Sequence, residues 1–278
     1  FEIWSLALLG GGAAVDPRAR PLIRSTRQDM HATVSPDGQH VVFVSTRTGR
    51  RELWISDRAG QNARLLSSPG QVTGLRPCWS PDGRRLAAAL NVENRLGVYL
   101  FAPAGGLPER LTGPTWEVVP RFWSRDGRWI YCDAKSDSGW RFARVAAASG
   151  GLEMLADAIA AAHCQSPDGS RLYYLHQNLL DICARPAAGG EAEVVFRWPH
   201  PQPLLQLEAT PTHLLALAPE GRRGSSLYSS QLATGRLTLL HAFGPASVRD
   251  FSIVLADSLV LYDRATMSGD LALVEGFH

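Results

Sequence analysis

The 278 residues contain no run of about eighteen uninterrupted apolar positions, and WSLALLGGGAAV, from Trp4, is too short and too glycine-rich to be read as a bilayer-spanning helix. Strong charge of either sign is missing as well. The balance of 28 Lys+Arg against 26 Asp+Glu leaves a net +2 and a pI near 8.5. Nucleic-acid binding calls for a concentrated basic footprint, so no direct nucleic-acid partner is expected of this domain. The 4 cysteines form no C-x-x-C pair of the kind that marks a metal or redox site. Cys78 and Cys164 each stand two residues before a recurring serine, equivalent places in different repeats, and are read as free buried thiols rather than a bridge. There is no G-x-S-x-G elbow, H-E-x-x-H pair, phosphate-binding P-loop or dinucleotide fingerprint, so the expected class is non-enzymatic, without cofactor or metal. The triple glycine Gly10–Gly12 reads as a lengthened corner between strands, since no helix follows to present its N-terminus to a phosphate. Helix-favouring stretches are scarce too: Gly, Pro, Ser or Asp interrupts the chain every six to ten residues, and MLADAIAAAHC from Met154 is read as a strand and a loop.

What is present is a repeat. With 45% hydrophobic and 19% charged residues the chain can bury a large core, and its apolar residues come in short β-branched or aromatic runs. Before one such run stands SPDG, Ser35–Gly38; the corner returns as SPDG at Ser80–Gly83, SRDG at Ser124–Gly127 and SPDG at Ser166–Gly169, with starts 45, 44 and 42 residues apart. Proline presets φ, aspartate bonds nearby backbone and glycine accepts a positive φ, so Pro36, Asp37, Gly38, Pro81, Asp82, Gly83, Asp126, Gly127, Pro167, Asp168 and Gly169 are assigned to structural turns. An aspartate that satisfies its own turn, alone on its repeat, is a poor calcium ligand. A second glycine corner recurs at DRAGQN from Asp57, APAGGLP from Ala102, AASGGLE from Ala147, PAAGGEA from Pro186 and LATGR from Leu232. Each unit therefore holds four short strands. The expected fold is all-β, a β-propeller of four-stranded antiparallel blades.

Units begin near Asp29, Gly74, Glu117, Ala160, Leu204 and Ser247, so residues 29–278 are read as six repeats within a single domain and residues 1–28 as a partial blade or closing strands. FEIWSLAL and RPLIRST have the character of a third and a fourth strand, while GDLALVEGF at the other end reads as a third strand with no fourth. Two closures stay open. Either RPLIRST supplies the outer strand of the last blade, giving six blades with FEIWSLAL left over, or a seven-bladed ring is cut through one blade. The complementary ends, and a start at Phe1 rather than Met, make the chain an expected portion of a longer protein.

The stretch SPDGQHVVFVSTRTGRRELWISD, through Ser35, Pro36, Asp37, Gly38, Phe43, Ser45, Arg47, Gly49, Leu53 and Trp54, resembles the WD40-like (PD40) repeat of the TolB propeller family. WSPDGRRLAAAL and WSRDGRWIYCDAKSDSGW match in their first halves, and the later units in period alone. The order of parts also resembles the C-terminal propeller of CadC-like winged-helix transcriptional regulators, and more distantly the propeller that gates prolyl-oligopeptidase-like peptidases. The resemblance implies a bacterial protein-interaction or sensing module with a protein or peptide partner, the C-terminal sensory part of a winged-helix regulator, with a substrate-gating peptidase propeller or a free TolB-like envelope scaffold as the alternatives; it favours a periplasmic or envelope setting, and the compartment itself stays open.

On a propeller, the loops entering the first strand and those joining the second to the third share one face. That face is expected to carry Arg27, Arg47, Arg50, Arg51, Arg76, Arg95, Lys135, Arg222, Arg223, Arg249 and Arg264 among Trp116, Trp140 and Trp198. Arginine with exposed tryptophan is the composition of interaction hot spots; tryptophans packed between blades are the alternative. Arg47, Arg51, Arg95, Trp116, Trp140, Trp198, Arg222 and Arg223 are the candidate partner-binding residues. FRWPHPQPLL, Phe196–Leu205, is expected to hold Trp198 outwards on a proline-stiffened loop. His31 and His163, near the starts of first strands, are read as loop histidines, with an approach to the central channel as the alternative.

Overall fold

A computed structural model describes residues 1–9, 14–15, 18–66, 71–72, 77–137, 139–159, 162–176, 178–200, 202, 204–220, 224–243, 248, 251–254 and 259–264. Among them there is no helix, and none long and apolar enough to cross a membrane. The strands form six antiparallel sheets that follow one another round a ring.

Blade one is β4 (Asp29–Val34), β5 (His40–Ser45), β6 (Glu52–Asp57) and β7 (Arg64–Leu65), in spatial as in chain order. Blade two begins with an interrupted inner strand, β8 (Gln71–Val72) and β9 (Cys78–Trp79), both pairing β10 (Leu86–Val92), and continues through β11 (Arg95–Phe101) to β12 (Glu109–Arg110). Blade three is β13 (Val118–Trp123), β14 (Trp129–Ser136), β15 (Gly139–Ala146) and β16 (Leu152–Ile159). Blade four is β17 (His163–Gln165), β18 (Arg171–Leu175), β19 (Asp181–Pro186) and β20 (Glu193–Arg197). Blade five is β21 (Gln206–Ala209), β22 (His213–Pro219), β23 (Ser225–Gln231) and β24 (Leu237–Ala242). First strands touch first strands of neighbouring blades, β4 to β9, β9 to β13, β17 to β21, β21 to β25 (Phe251–Val254) and β25 to β4, so they line the axis. The Ala-rich stretch after Leu152 is strand β16, as its sequence implies.

The sixth blade is built from both ends of the chain. Its first two strands are β25 and β26 (Leu259–Arg264); its third is β1 (Glu2–Leu9), in register from Glu2 opposite Arg264 to Ala7 opposite Leu259. Its outer strand is β3 (Arg20–Ile23), with β2 (Ala14–Val15) against the far end of β1. The ring therefore closes at six blades with RPLIRST supplying the outer strand of the last one, as the first alternative expects, and two parts of the reading are corrected. FEIWSLAL is not left over, because it takes the third position beside β26, and among the described residues no partial seventh blade forms from these segments. The closing GDLALVEGF lies outside the described residues.

Every sheet is covered on both faces, which is why the strands read as near-continuous apolar runs. In β5, Val41 and Phe43 pack against Ile3, Ile23 and Leu261 of blade six, while Val42 and Val44 join Leu86, Leu90 and Phe101 of blade two. The period of two thus sends alternate residues into opposite seams.

The corners repeat in atomic detail. In each, the serine hydroxyl donates to the aspartate (Ser35 to Asp37, 2.5 Å; Ser80 to Asp82, 2.6 Å) and accepts the amide five residues on (His40, 2.9 Å; Arg85, 2.9 Å). The aspartate Oδ1 accepts a second amide, Gln39 N–H in the first corner and Arg84 N–H in the second, each at 3.0 Å. The glycine is left-handed, with φ +69° at Gly83, and a Cβ built there would lie 3.7 Å from Cδ of Pro36; Gly127 approaches Pro81 and Gly169 approaches Arg125 in the same way, so the second, third and fourth corners each lean on the one before.

Candidate functional site

The corners joining first to second strands, and the glycine turns joining third to fourth, occupy one face of the ring; blade-to-blade links and second-to-third-strand turns occupy the other. On the corner face the aspartates are committed to their own turns. The Ser124 hydroxyl holds the Asp126 carboxyl down to about 2, helped by the Arg128 amide and guanidinium. The Ser166 hydroxyl and Ser170 do the same for Asp168, to about 2, and Asp37 and Asp82 are lowered by Ser35 and Ser80 first, then by a backbone amide each. Among the described residues no three His, Cys, Asp or Glu side chains gather to hold a metal ion.

The opposite face carries most of the predicted binding residues in three different states. Arg47 is packed. Its Nε lies 3.2 Å from Asp29 Oδ1, its guanidinium stacks over Phe43 at 5.1 Å and Trp54 at 5.3 Å, and Asp29, fully buried, also accepts the Ser45 hydroxyl at 2.7 Å. Arg51 and Arg95 are exposed; Arg95 closes a two-residue hairpin whose Glu93 and Asn94 have φ of +52° and +60°, matching the twist of the strands it joins. Trp116 and Trp140 are each 37% exposed and flank the Glu117–Lys135 ion pair (3.2 Å) at the same end of blade three, with Trp140 directly opposite Lys135. Arg222 and Arg223, with Arg76 and Arg249, lie outside the described residues.

Trp198 is not on this surface. It is 1% exposed, wedged into the seam between blades four and five, with Nε1 donating to the Gln202 carbonyl at 3.0 Å and its ring edge-on to Tyr228 at 5.3 Å. The indole is turned inwards rather than held out, which corrects the expectation for this loop. A large apolar ring gains more from filling a seam than from water, provided its N–H finds an acceptor, as here. Tyr228 in turn donates to Glu220 at 2.5 Å, and burial followed by that acceptor raises its hydroxyl to about 12.

The seam between blades three and four holds a polar cluster. His163 is not a loop residue: it sits buried in β17, Nε2 3.5 Å from Asp133 Oδ1, with Phe142 at 4.3 Å and Phe122 at 6.0 Å. Arg121, from the inner strand of blade three, bonds the other oxygen of Asp133. His31 lies at a bulge in β4, with φ +57°. Asp133 is the residue that sequence reasoning missed. Its only signal is an acid inside the apolar run WIYCDA, where a charge must be paired.

The TolB beta propeller domain (PD40) family matches residues 16–195. Among curated proteins, the Tol-Pal system protein TolB of Alcanivorax borkumensis is 36% identical over 75 residues, 27% of this chain and 17% of that protein. A protein TolB homolog of Chlorobium luteolum is 30% identical over 126 residues, 45% of this chain and 27% of its own. The chain thus spans roughly a quarter or less of the length of these relatives. Among solved structures, an Agrobacterium tumefaciens protein assigned to TolB superposes with a TM-score of 0.75 at 15% identity, covering 95% of this chain and 98% of that one. TolB from Acinetobacter baumannii gives 0.66 at 15% identity, over 87% and 64%. A puromycin-hydrolyzing peptidase of Mycobacterium tuberculosis gives 0.62 at 18% identity, over 87% of this chain and 44% of that one, a likeness of fold alone. With its repeated Ser-Pro-Asp-Gly corners, six four-stranded blades and a family match over well more than half its length, the chain belongs to the TolB β-propeller (PD40) family.

Proposed function

We propose that this propeller is a non-catalytic protein-interaction module that works through the face carrying Trp116, Trp140, Arg51 and Arg95. One observation carries the reading: two partly exposed tryptophans flank an ion pair on a rigid blade end. Trp140 is held within strand β15 and Trp116 stands two residues before β13, and aromatic anchors fixed next to a sheet bind at low ordering cost. The layout resemblance to CadC-like regulators supports placing the module at the receiving end of a bacterial winged-helix regulator; the likeness to a peptidase propeller supports a shared fold and no more. The test is photo-crosslinking in the native cell, with a photoreactive residue at position 140 or 95 on the loop face, or at 84 or 128 on the corner face. A discrete protein adduct is expected from the first pair alone. Adducts only from the corner face would contradict the reading.

A further inference from the structure

The interaction reading leaves the chemistry of the partner open, and the distribution of charge over the loop face narrows it. The whole chain is nearly neutral, at net +2. The rim over blades six and one is not. It carries Arg24, Arg27, Arg47, Arg50, Arg51 and Arg264, and its described carboxylates are already engaged or buried. Asp29 takes Arg47 and Ser45; Glu2 accepts the Trp4 indole N–H at 3.2 Å and lies 3.5 Å from Arg24; Glu52 accepts the Thr48 hydroxyl; Asp263 is buried in β26. Among the described residues, no acid pairs with Arg27, Arg50 or Arg51, and all three are exposed.

The rim is also stiff. The amide of Gln28 donates to Thr46 Oγ1 at 3.1 Å and the amide of Thr46 returns to the Gln28 carbonyl at 3.0 Å, stapling the loop that leads into blade one to its second-to-third-strand turn. The Asp29 amide donates to the Phe1 carbonyl at 3.0 Å and ties that edge to blade six. Arg24 and Arg264 stack on Trp4 at 5.4 Å and 4.9 Å. Arginines fixed over aromatic faces, beside others free to turn, make bidentate carboxylate recognition geometrically cheap.

We infer that the rim over blades six and one receives an acidic segment of a partner polypeptide. This rests on the interaction reading above and specifies its partner. A protein segment is favoured over nucleic acid because the basic rim is short: on the same face of blades three and four, Lys135 and Arg197 are already paired with Glu117 and Asp181, and the exposed Asp137 adds a negative charge, so no cationic track continues for a longer phosphate backbone.

The test uses the 278-residue chain and a fluorescein-labelled peptide of about twelve residues alternating Glu and Ala, followed by anisotropy at low and at high salt. Saturable binding is expected, weakened roughly tenfold or more by Arg50→Glu/Arg51→Glu and by salt. It should be unchanged by Arg84→Glu/Arg85→Glu on the corner face, with unaltered melting temperatures for both variants. Equal binding of a Gln/Ala peptide, equal loss in the corner-face variant, or tighter binding of single-stranded DNA or phosphatidylserine vesicles would overturn it. If the crosslinked partner of the loop face binds Arg50→Glu/Arg51→Glu as well as the unaltered chain, the acidic class falls and the interaction reading stands.

Discussion

Trp4, near the start of the chain, lies in register with Tyr262 near the end of its described part, and the two share one blade. Closing the ring this way turns two marginal half-blades into one four-stranded sheet and leaves no seam without strands. Ile3 and Leu6 of the opening strand are buried, on opposite sides, against blades one and five.

Removing residues 1–9 should therefore act like opening a clasp. Two buried aliphatic side chains alone represent roughly 1.5–3 kcal/mol each, before the lost strand pairing. We expect a large drop in melting temperature by calorimetry, with self-association through the freed edge of β26. A truncated chain that melts with the full one would show that the clasp is dispensable.

The corner aspartates give a pH dependence whose sign is set. Each has a folded pKa below its unfolded value of 3.8, so its stabilisation is complete above about pH 4 and drains as pH falls through about 2 for Asp126 and Asp168. Asp126→Asn keeps an acceptor for the Ser124 hydroxyl and the Arg128 amide and should change stability by less than about 0.5 kcal/mol, while Asp126→Ala should cost about 1 kcal/mol. Urea titrations at neutral pH separate the two; equal losses would contradict the hydrogen-bond assignment.

Trp198→Ala should remove about 3–5 kcal/mol, the cost of an emptied core site for a large aromatic. Trp140→Ala, on the exposed blade end, should stay within about 1 kcal/mol. Denaturant midpoints measure both, and a neutral Trp198→Ala would return that ring to the surface.

At the seam of blades three and four, Asp133→Ala should cost about 3 kcal/mol or more, because it strands Arg121 beside a buried histidine. His163→Phe places an apolar ring between Phe122 and Phe142 and should be much milder. Reversal of that order in chemical denaturation would show that His163, not Asp133, anchors the seam.

How much of this was legible in the sequence differs residue by residue. The Ser-Pro-Asp-Gly spacing announced the blades and their phase because a corner's chemistry is local: Ser35, Asp37 and Gly38 satisfy one another within a few residues. The closure was not legible, since nothing local in FEIWSLAL says that Leu261 is its neighbour. Trp198 misled for a physical reason. Prolines stiffen a loop without saying which way it turns, and only the seam between blades four and five decides that. Asp133 and His163 are separated along the chain and meet only when two blades stack, so neither marks the other in sequence.

The proposed loop-face site binds a protein through Trp116 and Trp140. It is tested most directly by the affinity of the crosslinked partner, once purified, for Trp116→Ala/Trp140→Ala, measured by titration calorimetry. A loss of at least about tenfold is expected, hot-spot behaviour, with the melting temperature within a few degrees of the unaltered chain. Undiminished affinity with both tryptophans gone would contradict it.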